Sequence, residues 1–373
     1  MRVETLPLPL AAPGTQRSLT VYRFGAAGAG PKAYIQSGLH SDELPPMLVT
    51  RHLIDRLSAL PEEDILGEIV IVPLANPLGL DQVVNGELLG RFDLAGGGNY
   101  NRAYPDIADA VAARIDGRLS SDPAGNVALI RQAIGEVVAE LRMRSAVEAL
   151  RVTLFRMAVD ADYVLDLHCD YEAVLHLYLG TPVWPDAADL AAQIGAETVL
   201  LARVSGGDPF DEASSTIWWT LAERYGDRFP IPPACLATTI EYRGRADVSD
   251  PMAADDADRL LRFLMRRGVV RGDPGPLPAP KVDATPLDGV DMLTAPHAGM
   301  VVYHKQLGEI VRAGETVCSI VDPVTGERTP LTARVDGPFW ARLDLRFAPA
   351  GKPVAKIAGR ERLPDRKGLL LTA

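Results

Sequence analysis

Hydrophobic positions along residues 1–268 form short runs that alternate with longer amphipathic stretches. The short runs are almost continuously apolar, which is typical of strands in a sheet that is covered on both faces. We predict strands at Leu19–Phe24, Ala33–Ser37, Glu68–Leu74, Tyr163–His168, Ala173–Leu179, Val199–Val204 and Leu236–Glu241. The stretches between them predict helices at Leu44–Leu60, Asn126–Leu150, Asp186–Ile194, Ser214–Tyr225 and Pro251–Arg267. This alternation favours an α/β fold whose mixed, mainly parallel central sheet is flanked by helices.

The pattern changes after a proline-rich segment, which reads as a stiff linker. Its prolines are Pro274, Pro276, Pro278, Pro280 and Pro286. Beyond it, short β-like runs are separated by glycine and proline, and no helical pattern of useful length follows. We therefore predict a large domain over residues 1–270, a linker over 271–286 and a small all-β, barrel-like accessory domain over 287–373.

Composition and charge limit the classes of binding partner and the cellular compartment that we expect for this protein. The formal net charge is −11, so the chain lacks the basic footprint that nucleic acid or an anionic membrane surface requires. It has no apolar run of about 18 residues that could cross a membrane. The three cysteines are widely spaced, and the first residues lead into a proline-broken stretch, not into a signal-peptide core. We expect a reduced, cytoplasmic protein that binds neither nucleic acid nor membrane.

Two segments far apart in sequence suggest a metal site. His40 and Glu43 lie on the turn that leaves the predicted strand Ala33–Ser37, and His168 ends the strand Tyr163–His168. Ligands in α/β proteins gather at the carboxyl ends of strands. A hydrolytic zinc ion uses three such side chains and keeps a fourth position open. The alternative is chance, since a chain with six histidines will often contain one His-x-x-Glu pattern.

Four further side chains could serve a hydrolytic reaction. Asn101 and Arg102 follow a glycine-rich loop, and an arginine beside an amide is suited to binding a carboxylate. Arg91 offers a second guanidinium. Glu241 closes a β-branched strand, where a carboxylate could take a proton from water and pass it to a leaving nitrogen. The alternatives are a solvated loop arginine, helix-capping asparagines and an ordinary strand-end glutamate.

Four short segments in the same order resemble the succinylglutamate desuccinylase/aspartoacylase family. The segments are residues 38–43 (GLHSDE), 101–102 (NR), 166–168 (DLH) and 240–241 (IE). The resemblance spans about residues 33–245. It implies a zinc carboxypeptidase A-like fold in residues 1–270, and the all-β tail also fits because family members commonly carry a small C-terminal β-domain.

The resemblance also implies a role for each residue. His40, Glu43 and His168 would bind one zinc ion per chain, and Glu241 would act as general base and then as general acid. Asn101 and Arg102 would bind a carboxylate of the substrate, while Arg91 would polarise the scissile carbonyl or stabilise the oxyanion.

The implied reaction is hydrolysis of an amide bond in a small, acidic, carboxylate-bearing substrate, as in deacylation of an N-acyl amino acid. Two alternatives stay open, namely a metallocarboxypeptidase that cuts short peptides and a non-catalytic binding protein of the same fold. The intact set of metal-site residues and Glu241 favours an enzyme. A homo-oligomer also stays open.

The sequence departs from the family pattern at several places. Ser41 stands where the family usually has glycine, and Cys169 follows the third metal ligand, where we interpret it as a packing residue. The long loop between Asn76-Pro77 and Asn101 and the helical insertion Asp109 to Leu150 would border the cleft and could narrow it, which would favour a small acyl substrate over a peptide. The C-terminal domain resembles lipoyl/biotinyl-type barrels, but Lys305 lacks the flanking methionines of a carrier lysine. We therefore expect this domain to cover the cleft or to build an oligomer.

Overall fold

The computed structural model of the protein describes residues 1–9 and 12–371. Its helices are α1 Pro45–Ala59, α2 Pro77–Leu80, α3 Ala108–Ile115, α4 Pro123–Glu140, α5 Ala146–Ala158, α6 Ala188–Ile194, α7 Phe210–Tyr225 and α8 Asp250–Arg266. The strands of the first 284 residues are β1 Arg2–Pro7, β2 Ser18–Phe24, β3 Lys32–Ser37, β4 Glu68–Val72, β5 Val83–Val84, β6 Glu87–Leu88, β7 Phe92–Asp93, β8 Gly98–Asn99, β9 Tyr163–Asp170, β10 Glu172–Ala173, β11 His176–Gly180, β12 Thr198–Ala202 and β13 Leu236–Gly244. The later strands are β14 Thr285–Pro286, β15 Val290–Thr294, β16 Gly299–Tyr303, β17 Ile310–Val311, β18 Thr316–Val321, β19 Arg328–Thr332, β20 Gly337–Arg342, β21 Phe347–Ala348 and β22 Pro353–Ala358.

A large mixed sheet forms the centre of the molecule. Within the described residues its strand order is β1-β2-β4-β3-β9-β13-β11-β12-β14. The central strands β4, β3, β9 and β13 run parallel to one another, whereas β11 runs antiparallel to β13. The predicted α/β fold with a mixed, mainly parallel sheet is confirmed. The carboxyl ends of β3, β9 and β13 therefore meet at one edge, where the predicted metal ligands lie.

Helices cover both faces of this sheet because successive side chains of each strand point to opposite faces. On β9, Val164 packs with α3, α4, α5 and α7, whereas Leu165 packs with α1, α6 and α8. Both side chains are fully buried. Burying a side chain of this size stabilises a fold by about 1.5–3 kcal/mol, so the two layers hold the sheet edge rigidly.

The single helix predicted from Asn126 to Leu150 is wrong. The chain forms α4 and α5 instead, separated by residues 141–145. Leu141 leaves the helical conformation with ψ 127°, and the Ser145 hydroxyl accepts a hydrogen bond from the Glu148 amide at 3.1 Å. This N-cap starts a new helix, which lets α5 turn back and pack beside α4.

The C-terminal residues build two further sheets that are joined to the central one. One has the order β10-β20-β22-β15, and the other has the order β19-β18-β16-β21. Because β10 comes from the first part of the chain, its pairing with β20 links the two parts through backbone hydrogen bonds. Thr285 and Pro286, predicted as the end of the linker, form β14, which pairs with β12 at the edge of the large sheet. Where one domain ends and the next begins stays a prediction.

Within residues 1–9 and 12–371, no helix is both long enough and apolar enough to cross a bilayer.

Candidate active site

The turn after β3 carries two of the predicted metal ligands. Gly38 adopts a left-handed φ of +67°, which turns the chain sharply at the end of the strand. The Glu43 amide then donates to the His40 carbonyl at 3.1 Å, and prolines in the first turn of α1 start the helix directly afterwards. Ser41 is fully buried, and its hydroxyl donates to the Asn76 carbonyl at 2.6 Å. The serine therefore anchors the turn where the family pattern has glycine.

His40, Glu43 and His168 converge at the sheet edge, as predicted from sequence. Their candidate ligand atoms all lie within 4.8 Å of one another, and each residue is buried. The two carboxylate oxygens of Glu43 lie between the imidazoles, with Oε1 2.9 Å from Nδ1 of His40 and Oε2 2.8 Å from Nδ1 of His168. Burial alone would raise the pKa of Glu43, but the two imidazoles hold this pKa well below its usual value.

Hydrogen bonds at the far side of each ring determine which nitrogen faces Glu43. Nε2 of His40 lies 2.8 Å from the Asn99 amide oxygen, and Nε2 of His168 lies 2.9 Å from the Asp166 carboxylate. Both partner oxygens accept, so each Nε2 donates and Nδ1 is the ring atom that faces Glu43. Burial alone would lower the pKa of His168, but the Asp166 and Glu43 carboxylates hold this pKa well above its usual value. Nδ1 of each ring and the Glu43 carboxylate are the atoms that could hold a metal ion.

This donor set fits zinc. Two imidazole nitrogens and one carboxylate are the ligands of the thermolysin and carboxypeptidase type of catalytic zinc site. Ligating histidines usually donate their other ring N–H to a carboxylate or carbonyl oxygen, as His40 and His168 do here. The structure therefore places a zinc-compatible set of side chains where the sequence predicted one.

Asn99, Gln36 and Tyr34 were not predicted as supporting residues, whereas the sequence allowed Asp166, two residues before His168, as such a partner. Asn99 orients His40, and Asp166 is held by the Gln36 amide at 2.9 Å. The oxygen of Gln36 in turn accepts from the Tyr34 hydroxyl at 2.8 Å. The available signal was the spacing of Tyr34 and Gln36, since polar groups two apart on an otherwise apolar strand share one face.

Arg91 contacts the metal-site residues directly. Its Nη1 donates to Glu43 Oε1 at 3.1 Å and lies 3.3 Å from Nδ1 of His40. Gly90 permits this approach, because a Cβ there would lie 2.5 Å from the backbone nitrogen of Asp42. The guanidinium is thus brought beside the metal-site residues, and its proposed action on a carbonyl stays a prediction.

Asn101 and Arg102 lie between the metal-site residues and the start of α7. The Asn101 amide oxygen accepts from the Phe210 amide at 2.9 Å, and its nitrogen lies 3.3 Å from Nε2 of His168. Arg102 donates to the Asn101 carbonyl at 2.6 Å. Gly207, at φ +80°, makes room for it, because a Cβ there would lie 2.9 Å from the Arg102 side chain. Both residues line the same pocket as His168.

Glu241 lies across the strand pairing from His168, in register on β13 and β9. Its Oε2 atom is buried and has no hydrogen-bond partner among the described residues. Burial, followed by the nearby Glu43 carboxylate, raises the pKa of Glu241 to about 8. A carboxyl group with this pKa can exchange a proton near neutral pH, as a general base and acid must.

Six of the seven predicted site residues line one pocket, and the buried Glu43 is the exception. The volume of this pocket is about 1050 Å³, measured to include the open mouth. Among its described lining residues none comes from the insertion 109–150, so the prediction that this insertion narrows the cleft is wrong. Instead α3 and α4 pack together and α3 packs on α7, while residues after 285 form the far wall. Cys169 also lines it, and burial raises the pKa of its thiol well above the usual value, which fits a packing residue.

Two acids at the start of α7 also line the pocket and were not predicted. Asp211 and Glu212 line the same pocket as Asn101 and Arg102. The Glu212 carboxylate accepts a hydrogen bond from the Ser205 amide at 2.7 Å. Burial raises the pKa of Asp211 to about 6 and that of Glu212 to about 7. Acids in a first helical turn are ordinarily interpreted as favourable to the helix dipole, which concealed them in the sequence.

Part of the sequence and the whole fold are similar to those of known proteins. A family model described as the succinylglutamate desuccinylase/aspartoacylase catalytic domain matches residues 29–124. The structure of a protein of that family from Shewanella amazonensis is similar with a TM-score of 0.83 and 30% identity, covering 96% of this chain and 98% of that chain. Another, from Shewanella frigidimarina, gives 0.82 and 25% identity over 96% and 97%.

A more distant similarity extends to the fold alone. The product-bound ectoine utilization protein EutE (DoeB) from Ruegeria pomeroyi shares 17% identity and a TM-score of 0.68, over 96% of this chain and 95% of that chain. A search of curated proteins by sequence returned no match.

Proposed function

The chain belongs to the succinylglutamate desuccinylase/aspartoacylase family, and from this we propose that it is a zinc-dependent hydrolase of N-acyl amino acids. The observation that carries the proposal is the buried set of His40, Glu43 and His168, whose ligand atoms lie within 4.8 Å of one another. A set of this kind beside a carboxyl group of raised pKa is what metal-assisted amide hydrolysis requires.

Each residue of the candidate site has a separate role in the proposed reaction. His40, Glu43 and His168 would hold zinc, which when bound polarises a carbonyl and makes water more acidic. Glu241 takes one proton from the attacking water and delivers it to the nitrogen of the breaking amide bond. The products are therefore a carboxylic acid and a free amine. Arg91, beside Glu43, stabilises negative charge that develops on the scissile carbonyl oxygen.

A carboxylate on the substrate would be bound by Arg102 with help from Asn101. Arginine presents several donors in a planar fork that matches a carboxylate. The Asn101 oxygen is already occupied by the Phe210 amide, so only its nitrogen remains for a substrate. These contacts favour a small acidic molecule as the partner of the pocket.

Deacylation is favoured over peptide cleavage by the shape of the pocket. One wall of the pocket is built from residues after 285, including Trp340. This wall limits the length of chain that can extend from the scissile bond. A carboxypeptidase acting on short peptides is the alternative outcome of the test.

The test is metal analysis together with a hydrolysis screen. Protein reconstituted with zinc should contain about one zinc per chain and should hydrolyse members of a panel of N-acyl amino acids. The matched control is the His40→Ala, His168→Ala double variant, which should lose both zinc and turnover. Zinc-loaded protein that hydrolyses neither N-acyl amino acids nor short peptides would refute the proposal, whereas cleavage of peptides alone would identify a carboxypeptidase.

A further inference from the structure

The pocket extends well beyond the metal-site residues. Past Glu241 it continues over β11 and β12 towards the C-terminal residues. This part, which we call the apolar chamber, is lined by Leu179, Leu200, Ala202, Leu287, Val290, Met292, Trp340, Leu370 and Leu371. The same continuous pocket is lined by His168, Arg102 and Glu241. A molecule bound at the metal-site residues can therefore reach the chamber without leaving the pocket.

The chamber wall is preformed by packing. Trp340 is 1% exposed, and its ring centroid lies 4.5 Å from that of His176 and 6.3 Å from that of Tyr178. Leu200, Leu287 and Val290 belong to the same buried cluster. Side chains packed in this way keep one arrangement, so the chamber does not have to be ordered by a ligand.

Cationic side chains beside the chamber already have contacts within the protein. Lys356 donates to the Asp170 carboxylate at 2.7 Å while its ammonium group lies 5.0 Å from the Trp340 ring centroid. Arg366 donates to the Leu370 carbonyl at 2.5 Å. Lys352 also lines a second, smaller pocket, where it lies 5.6 Å from the Tyr171 ring centroid. The aliphatic side chains of the chamber are thus left to contact an apolar group.

We propose that the preferred substrate carries a bulky apolar or aromatic group in addition to its carboxylate, and that this group occupies the apolar chamber. This inference rests on the proposed function and specifies its substrate class. Ligand pockets are lined mostly by apolar side chains with a few polar groups that fix the orientation of the ligand, and the chamber residues give this part of the pocket such a lining. A short acyl group on a small amino acid would leave this apolar lining without a partner. Each buried methylene should improve binding roughly fourfold.

The apolar group could belong to the acyl part or to the amino acid side chain, and two substrate series distinguish them. In one series the acyl group grows from acetyl to hexanoyl and benzoyl on a fixed alanine. In the other the acyl group stays acetyl while the amino acid changes from alanine to leucine and phenylalanine. We expect kcat/KM to rise at least tenfold along one series. A flat or falling profile in both series would overturn the inference.

Two variants connect that preference to the chamber. Ala202→Phe fills the chamber from β12, so it should reduce the ratio of kcat/KM for the largest and smallest substrates at least fivefold. Met252→Ala is the matched control, because Met252 is a partly buried residue of α8 that does not line the pocket. The ratio should stay at the wild-type value in this control. An unchanged ratio in Ala202→Phe would refute the chamber as the source of the preference.

A binding measurement separates this inference from the proposed function. Straight-chain carboxylates from acetate to octanoate are titrated into the zinc-loaded full chain by calorimetry, and none of them contains an amide to hydrolyse. Affinity should increase roughly fourfold per methylene until the chamber is filled, and Ala202→Phe should abolish that increase. Binding that depends on chain length, without any amide hydrolysis, would support the chamber as a binding site and refute the proposed reaction. Affinity independent of chain length would refute the chamber itself.

Discussion

At the scale of single residues, Glu43 connects the elements of the candidate site. Its two oxygens contact His40 and His168, and Oε1 also accepts from Arg91. Oε2 in addition accepts from the Cys169 amide at 3.1 Å. One buried carboxylate thus holds both imidazoles and a guanidinium in place. The residues proposed to move protons or bind substrate lie around this centre, and two predictions concern them.

Replacing Glu241 by glutamine should remove the proton carrier without changing the metal-site residues. We expect kcat to fall by about 10²–10⁴-fold, while zinc content stays at the wild-type level. Steady-state kinetics and metal analysis on the same preparation would measure both quantities. Glu223→Gln, which alters a surface acid paired with Arg203, is the control and should leave both unchanged. Retained turnover in Glu241→Gln would exclude Glu241 as the base.

Replacing Arg102 by alanine should weaken substrate binding more than it slows the chemical step. A lost hydrogen bond to a charged group costs about 1.5–3 kcal/mol, so KM for a carboxylate substrate should rise about tenfold or more. The comparison is kcat and KM for an N-acyl amino acid and for its uncharged amide. Arg203→Ala removes an exposed arginine as a control. An unchanged KM would separate Arg102 from carboxylate binding.

His176 should make the protein sensitive to mild acid. It is fully buried, its Nδ1 donates to the Val174 carbonyl at 2.8 Å, and burial lowers its pKa to about 4. In the unfolded chain its pKa returns to about 6.5, so the unfolded state binds one more proton between these values. The stabilising contribution of the neutral ring is present above pH 6.5 and is lost as the pH falls towards 4.

The measurement is the free energy of unfolding in urea at several pH values. His176→Phe should reduce the slope of stability against pH between about 4 and 6.5 by up to about 1.4 kcal/mol per pH unit. His176→Asn serves as a second variant if the phenylalanine disturbs the packing against Trp340. Equal slopes in the wild type and in both variants would show that His176 does not cause the acid sensitivity.

At the scale of elements, β9 carries a metal ligand and the acid that orients it. Asp166 and His168 are two residues apart, so their side chains lie on the same face of the strand. The neighbouring strand β3 brings Gln36 opposite Asp166 in register. The sheet therefore builds the support of the site by strand pairing alone, and the loops contribute Asn99 and Arg91.

Asp166→Asn should test this support. Asparagine keeps the shape and can still accept from His168, but the negative charge beside the ring is lost. Changes to such supporting groups typically cost 10–100-fold in metal affinity, and we expect a decrease in zinc affinity of this size. Competition with a chelator dye would measure it. Asp162→Asn, just before the same strand, is the control, and equal zinc affinity in Asp166→Asn and the wild type would contradict the orienting role.

At the scale of the whole molecule, the C-terminal part is bonded into the α/β part. β14 extends the central sheet, β10 pairs with β20, and Leu200 packs in one buried cluster with Leu287 and Trp340. The pocket lies along this junction. The accessory part consequently forms one wall of the candidate active site.

Removal of residues 285–373 should therefore damage the remaining part. The truncated chain would expose Leu200 and neighbouring apolar surface, and exposed patches of several hundred Å² favour association. We expect aggregation in sedimentation experiments and strong binding of a hydrophobic dye, compared with the full chain. A monomeric fragment with wild-type zinc affinity and an unchanged near-ultraviolet spectrum would show that the two parts are independent.

The sequence by itself determined the local features of this protein. Most strands and helices were predicted near their observed positions, because periods of 2 and 3.6 residues reflect which side of an element is buried. The metal-site residues were identified because their order along the chain matched a family. Residues whose signal is local in this way, such as His40 and Glu43 on one turn, can be recognised without the fold.

Only the tertiary structure decided what lies next to what. The tautomers of His40 and His168 depend on Asn99 and Asp166, and the wall of the pocket depends on Trp340, which lies far along the chain from all of them. The break between α4 and α5 is likewise stabilised by how these helices pack. Such contacts join residues distant in sequence, and packing energies of whole layers select them. No local pattern contains that information.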